Sequence, residues 1–448
     1  MQIILLSGGS GQRLWPMSNG KRAKQFLKLF TAPDGSRESM MQRMMRQMQT
    51  AELTGDFTVV TSDDQRDIIA SQFGQNVDVV IEPSRRGTYP ALALAAARLA
   101  LDRQLPDDEV VVAMPCDVYA ETAYFATINT IAAAVKSGEA ILAMIGLTPS
   151  SPSSKYGYIV TAKDEAESSS LRSVLRFVEK PGPQQAEKLV YEGARWNAGV
   201  FAFRLGYLKK HLTKRLDMTS RETFEAGFER LPHTSFDYEV AECETEAKMK
   251  PFNGMWRDIG TWDALTAEIP ACVLGNARVA ADCKGSHVFN ELDIPVLCLG
   301  MPDAVVAASP DGILVAGLKA CDDVENHLEG LAVRPMYEER RWGTYKVVCK
   351  DTFPDGHQIL TKELCITAGH GISYQRHHHR DEVWTFVDGT GRLVVDGVER
   401  TVGRGDVVNI RRESLHAVRA VTDLTLIEVQ SGDQLVEEDI DRFPYEWD

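Results

Sequence analysis

Apolar residues in the first part of the chain come in short continuous runs separated by stretches with helical spacing. The first run, QIILL at positions 2–6, breaks directly into SGGSGQR. Similar runs recur at Phe57–Thr61, Asp78–Ile81, Glu109–Ala113 and Ala140–Ile145, with helical patterns over Asp64–Phe73 and Pro90–Leu101 between them. A short apolar run without alternation marks a strand covered on both faces. Such strands alternating with helices predict a doubly wound α/β domain whose site lies beyond the C-terminal strand ends. The pattern holds to about Leu265.

From about Ile269 to Glu329 helical signals fade. Short β-like pieces (ARVAA, SHVFN, PVLCLG, AVVAAS, GILVAG) are spaced by Asp, Gly and Pro turns. This predicts a small solenoid-like β segment. After Pro335 the chain reads as almost wholly β: QILTKELCI, DEVWTFVDG, GRLVVDG, VERTV, DVVNI, LHAVRA and LTLIEVQ are short strands with Gly or Asp turns. That spacing predicts an antiparallel barrel or double-sheet roll. Three parts are therefore expected: a Rossmann-like α/β domain over 1–268, a β-rich linker over 269–335 and an all-β domain over 336–448.

Composition narrows the partners. A chain of 448 residues is too long for one ordinary core, in keeping with several domains. A formal net charge of −15 opposes non-specific binding to nucleic acid or an anionic membrane, so neither is expected as a partner. Local Lys and Arg can still dominate a site for a small phosphorylated substrate. The eight cysteines are scattered with no CxxC pair, which argues against a zinc ribbon or a disulfide framework and for a reducing compartment. The start, MQIILLSGG, lacks the basic region and cleavage site of a signal peptide, and no stretch has the apolar length of a membrane span. A cytoplasmic protein is expected.

The segment Ser7-Gly8-Gly9-Ser10-Gly11-Gln12-Arg13 carries the strongest chemical signal. Glycines after a buried strand let backbone N–H groups approach a phosphate. Arg13 can add a fork of donors and Lys24 a compact charge. The loop is neither GxxxxGK[ST] nor GxGxxG, and a tight strand-to-helix turn would by itself account for the glycines.

GGSGQRLWPMS followed by KQFLKL resembles the signature of the sugar-1-phosphate nucleotidyltransferases, specifically their mannose-1-phosphate guanylyltransferase group. The resemblance continues in order through IEPSRRGTYPALALAAA, MPCDVY, IGLTPSSPSSKYGYI, FVEKPG, WNAGVFAF, SFDYEVAE and MWRDIGTWDAL, across residues 1–265. It implies that Gly8, Gly9, Gly11 and Arg13 cradle a nucleoside triphosphate with help from Lys24, and that Arg86 and Thr88 lie near the nucleotide. It further implies that Asp117 and Asp258 hold Mg²⁺, and that Glu179, Lys180, Asn197 and Gly199 receive a sugar 1-phosphate. The reaction needs no protein nucleophile, because the sugar phosphate supplies the attacking oxygen; it needs alignment and charge neutralisation at the α-phosphorus. GTP with mannose 1-phosphate is the default pair. Gly87 and Tyr89 stand where the group usually has Asn and Ala, and Cys116 and Val118 replace Ala and His around Asp117. These departures keep CTP or UTP with another sugar phosphate open, and a non-catalytic sugar-nucleotide sensor is the reading from a different class.

The second cluster is Gln375-Arg376-His377-His378-His379-Arg380-Asp381-Glu382-Val383-Trp384. On a strand, alternation puts Gln375, His377 and His379 on one face. With Glu382 and the later His416, the histidines His377 and His379 suit a cupin-type site for Zn²⁺, Fe²⁺, Mn²⁺ or Ni²⁺. A solvated edge or a phosphate contact beside Arg380 is the plainer alternative. RWGTY at 341–345, the QxHxHRxExW stretch and IEVQSGDQLVEEDIDRF resemble the type II phosphomannose isomerase domain over about residues 337–443. The resemblance implies a cupin barrel and a sugar-phosphate isomerase activity, for which no base can be named. A homo-oligomer is expected.

Overall fold

The computed structural model describes residues 1–9, 12–74, 77–162, 171–269, 272–331 and 334–447. It divides into two compact units, one made of Met1–Gly11, Ala23–Arg66 and Val77–Ile269, the other of Gln12–Arg22, Asp67–Asn76 and Pro270–Asp448.

The first unit is built on a nine-stranded sheet. Its strands are β1 (Gln2–Leu6), β2 (Asp56–Ser62), β3 (Asp78–Glu82), β4 (Val110–Pro115), β5 (Leu142–Leu147), β6 (Tyr158–Thr161), β7 (Arg172–Val178), β8 (Arg195–Arg204) and β9 (Ala247–Phe252). Their order is β3-β2-β1-β4-β8-β5-β9-β7-β6. Strand β1 lies parallel between β2 and β4, with Ile4 opposite Thr58 on one side and Ala113 on the other. Ile3, Ile4 and Leu5 are fully buried, which is why this strand has no polar alternation. The helix Thr88–Ala97 buries every residue from Tyr89 to Ala97. Its alanines let it sit among neighbours on all sides, as an all-round apolar helix must.

The sheet departs from a purely parallel one at its centre. Strand β8 runs antiparallel to both β4 and β5, and its ladder with β5 shifts register between Asn197 and Phe201. Gly199 at φ 70° sits in that interruption. Glycine takes this left-handed conformation without a Cβ penalty.

In the second unit, residues 272–317 form short strands, with His287–Asn290 parallel to both Val273–Leu274 and Ala304–Ser309, and a 3-10 helix, Leu318–His327, follows them. Residues 12–22 pack into this unit: Arg22 forks onto Glu291 at 2.8 Å twice, and the Ser309 hydroxyl donates to the Pro16 carbonyl at 2.7 Å. The remainder is a barrel of a six-stranded and a five-stranded antiparallel sheet. Trp384, Phe386, Leu360, Leu364, Leu393, Val418 and Leu426 fill its apolar core. Among the described residues no helix is long and apolar enough to cross a membrane.

Candidate active site

The loop after β1 is held open from below by buried side chains. Ser7 N–H donates to the Val60 carbonyl at 2.8 Å, and the Ser7 hydroxyl donates to Gln65 Oε1 at 3.1 Å while accepting from Gln25 Nε2 at 3.0 Å. Gln65 Nε2 in turn donates to the Gly9 carbonyl at 3.1 Å. Gln25 and Gln65 are buried and hydrogen-bonded, and together they hold the Ser7 side chain and the Gly9 carbonyl in place. Nothing local in the sequence marks these glutamines. Gly11 lies outside the described residues.

A cavity of about 400 Å³ opens above this loop. Gly8, Gly9, Lys24, Glu82, Arg85, Thr88 and Asp117 are among the residues that line it, and Glu82 stands beside Gly8, where an added Cβ would lie 3.1 Å from its Oε1. The cavity's size is that of a nucleotide-scale pocket. Gly87 sits at φ 100°, where an added Cβ would collide with the Thr234 carbonyl oxygen, so the glycine is required by the close approach. Thr88 Oγ1 accepts from Phe236 N–H at 2.9 Å, tying this rim together.

A second cavity, about 260 Å³, shares Lys24, Pro115, Asp117, Gly199 and Asp237 with the first. Lys155, Tyr156, Glu179, Lys180, Asn197, Trp256 and Asp258 line the rest of it. Asn197 Nδ2 donates to Asp237 Oδ1 at 2.7 Å, and its Oδ1 accepts from Gly199 N–H at 3.1 Å. Lys180 Nζ reaches Glu179 at 3.1 Å. Burial, then the nearby Asp237 charge, raises the Glu179 carboxyl above its ordinary range.

At the junction Lys24 Nζ stands 2.8 Å from Asp117 and 3.5 Å from Asp258. Burial alone would lower the Lys24 ammonium; the two carboxylates more than offset it and raise it. Burial likewise favours a neutral Asp117, and the Lys24 charge and hydrogen bond reverse that and hold it below its usual value. Two carboxylates thus already converge on one cation. That convergence is the donor set a hard divalent ion requires.

Two expected nucleotide contacts are placed differently. Arg13 belongs to the other unit, where its Nε pairs with Glu325 at 3.0 Å, and it is not among the residues lining the cavity. Arg86 is buried, donating to the Glu229 and Leu231 carbonyls at 2.9 and 2.8 Å and pairing with the Glu229 carboxylate. Its neighbour Arg85 lines the cavity instead. Adjacent arginines in one loop point opposite ways, and sequence spacing does not say which faces the ligand. Glu82, to which no sequence motif assigns a role, also lines the cavity. Burial pushes its carboxyl up to about 7, partly countered by Arg85.

In the barrel, His377, Glu382 and His416 are buried and offer ligand atoms that all lie within 4.8 Å of one another. His377 Nδ1 donates to the Asp439 carbonyl at 2.5 Å, and His416 Nδ1 donates to the Ser414 carbonyl at 3.0 Å, which turns both Nε2 lone pairs inward. His416 Nε2 is buried with no hydrogen-bond partner among the described residues, an arrangement a metal ion would satisfy. Burial pushes His377 down to about 4, so its ring is neutral near neutral pH. Its Nε2 accepts from Arg380 Nη2 at 3.2 Å and from Gln375 Nε2 at 3.3 Å, donors that a metal ion would have to displace.

His379 stands outside this group, contrary to the alternation argument. Its side chain is 50% exposed and lies 4.0 Å from Asp433. The strand Tyr374–Arg376 ends before the histidine run. The Asp439 carboxylate then accepts from the N–H groups of His378 and His379 at 2.9 and 3.1 Å, bending the chain so that period-two facing fails.

Comparison with known proteins agrees with both halves. Residues 2–272 match the nucleotidyl transferase family model, and residues 332–445 match that of the mannose-6-phosphate isomerase C-terminal domain. A mannose-1-phosphate guanylyltransferase of Escherichia coli K12 is 30% identical, over 98% of this chain and 97% of its own. The chain belongs to the mannose-1-phosphate guanylyltransferase family. It is a nucleotidyltransferase. The alginate biosynthesis protein AlgA of Pseudomonas aeruginosa, also 30% identical, aligns over 98% of this chain and 95% of its own. A crystal structure described as a mannose-1-phosphate geranyltransferase from Thermus thermophilus superposes with a TM-score of 0.63 at 27% identity, covering 74% of this chain and 98% of that one.

Proposed function

We propose that the enzyme joins mannose 1-phosphate to GTP, giving a nucleotide sugar and pyrophosphate. The observation that carries this reading is the meeting of two cavities at Lys24 and Asp117, with Asp258 of the second cavity facing the same Lys24 ammonium. The first accepts the triphosphate, with Gly8 and Gly9 backbone beside it; the second accepts the sugar phosphate between Lys180, Asn197 and Gly199. The sugar-phosphate oxygen attacks the α-phosphorus, the bond from that phosphorus to the bridging oxygen breaks, and pyrophosphate leaves with the electron pair. Holding both substrates against one wall supplies alignment without a covalent intermediate. Asp117 and Asp258 would hold Mg²⁺, which neutralises phosphate charge when bound. Lys24, freed from the carboxylates, would turn to a phosphate oxygen.

Guanine is favoured by Glu82. Among the described residues no donor is bonded to its carboxyl, and it lines the cavity near Val60, Ala91 and Leu92. Guanine offers adjacent N1–H and N2–H donors, which a carboxylate accepts together.

The test is a matrix of four nucleoside triphosphates against several sugar 1-phosphates with Mg²⁺, read as pyrophosphate. The GTP and mannose 1-phosphate well should dominate and fall silent with EDTA. A dominant CTP or UTP well would replace the substrate assignment.

A second activity is supported by the unpartnered His416 Nε2. We infer that His377, Glu382 and His416 hold Zn²⁺ or another divalent transition ion, and that the barrel interconverts mannose 6-phosphate and fructose 6-phosphate. Such an ion would polarise the sugar oxygens when bound. Interconversion should appear in metal-loaded protein and be lost in His416→Ala. Absence of turnover in metal-loaded native protein removes the isomerase reading.

A further inference from the structure

Residues 435–439 run as a strap beside the barrel's polar centre, and each tie is specific. Arg380 Nη1 donates to the Val436 carbonyl at 3.0 Å, and Arg334 Nη1 donates to the Leu435 carbonyl at 3.2 Å. His377 donates to the Asp439 carbonyl, as described above. At the middle of the strap, one oxygen of Glu437, Oε1, takes both Lys362 Nζ at 2.8 Å and Arg334 Nη2.

That carboxylate oxygen is in an unusual position. The Lys362 side chain is 6% exposed and that of Arg334 15%, whereas Glu437 is 30% exposed and reaches in from outside. The Arg334 Nε is buried with no hydrogen-bond partner among the described residues, so its fork is only partly used. Across the sheet Lys362 also faces Glu428, its register partner, which already accepts from Gln430. Two largely buried cations, one with an idle donor, therefore converge on a single oxygen of a surface-borne carboxylate. A phosphate monoester dianion carries more charge and three terminal oxygens, enough for Lys362 Nζ and for the Nε and Nη2 donors of Arg334, while Nη1 stays on the Leu435 carbonyl.

We propose that Arg334 and Lys362 form a seat for a phosphate monoester, and that Glu437 fills it as a built-in competitor until such a ligand displaces it. Lifting Glu437 removes one tie of the strap that also carries the Asp439 carbonyl and loosens the segment bonded to the ring of His377. The inference rests on the reading of the barrel as a sugar-phosphate site, and its test is separable from that reading.

Inorganic phosphate is titrated into the full-length native chain, Glu437→Gln, and Glu437→Gln with Lys362→Met, by calorimetry. All three share the nucleotide cavity, so differences between them report the barrel alone. Glu437→Gln should bind phosphate at this site about tenfold more tightly than the native chain, as expected if the closed strap is populated about nine-tenths of the time. Adding Lys362→Met should abolish the gain; if that variant does not fold by circular dichroism, Arg334→Met takes its place. In the native chain, saturating phosphate should speed amide exchange across residues 435–439. Equal affinities in native and Glu437→Gln, with unchanged exchange in the strap, overturn the seat. Absence of mannose 6-phosphate turnover leaves that result standing and counts only against the isomerase.

Discussion

Asp117→Asn and Asp258→Asn each stop pyrophosphate release, with kcat falling about a thousandfold or more, the scale set by removing a charged group from an electrostatic site. Both carboxylates face one cation across the junction of the cavities, and each substitution removes a full charge while keeping size and shape. Asp117 is the more sensitive of the two because Lys24 lies closer to it and already holds it ionised. The fold should survive, since neither side chain is part of the apolar core. The check is threefold: pyrophosphate release under saturating substrates, a thermal melt close to native, and loss of Mn²⁺ binding by electron paramagnetic resonance. Near-native turnover in both variants would show that the metal is held elsewhere.

The second large effect concerns base choice. Glu82→Gln should lower kcat/KM for GTP about a hundredfold and narrow its lead over UTP and CTP, because a site built to accept two guanine hydrogens would lose one acceptor. The native enzyme should also show a pH signature. With the Glu82 carboxyl near 7, acid protonates it and removes the acceptor, so GTP affinity should weaken as pH falls through 7 and level off above it. The Gln variant should be flat across that range. Titration calorimetry from about pH 6 to about pH 8 distinguishes the two, and a native profile as flat as the variant's would take Glu82 out of base recognition.

Local order made much of the first unit legible. The apolar runs at 2–6 and 57–61 lie within β1 and β2, because a strand covered on both faces cannot alternate. The helix over Pro90–Leu101 is found as Thr88–Ala97 continued by Arg98–Asp102. In strand β8, Gly199 at φ 70° interrupts the ladder, a break set by the tertiary pairing rather than by the apolar pattern.

The site divides along the same line. The glycines after a buried strand stand out by residue type alone, whereas Asp117 and Asp258 are singled out only by the family resemblance; both line the second cavity. Which side chains face inward could not be read from the sequence. Arg86 is spent on carbonyls of the segment around Glu229 while Arg85 meets the cavity, and Arg13 is taken by Glu325. Gln25 and Gln65, which hold the glycine loop, lie far apart in sequence and meet only through Ser7. His379 was assigned by strand alternation, but Asp439, from a distant segment, captures its backbone and turns it away. Residue chemistry and short-range periodicity are properties of the chain and survive folding unchanged. The direction of a side chain and the partner that claims it depend on segments far away in sequence, and only the packed structure brings those together.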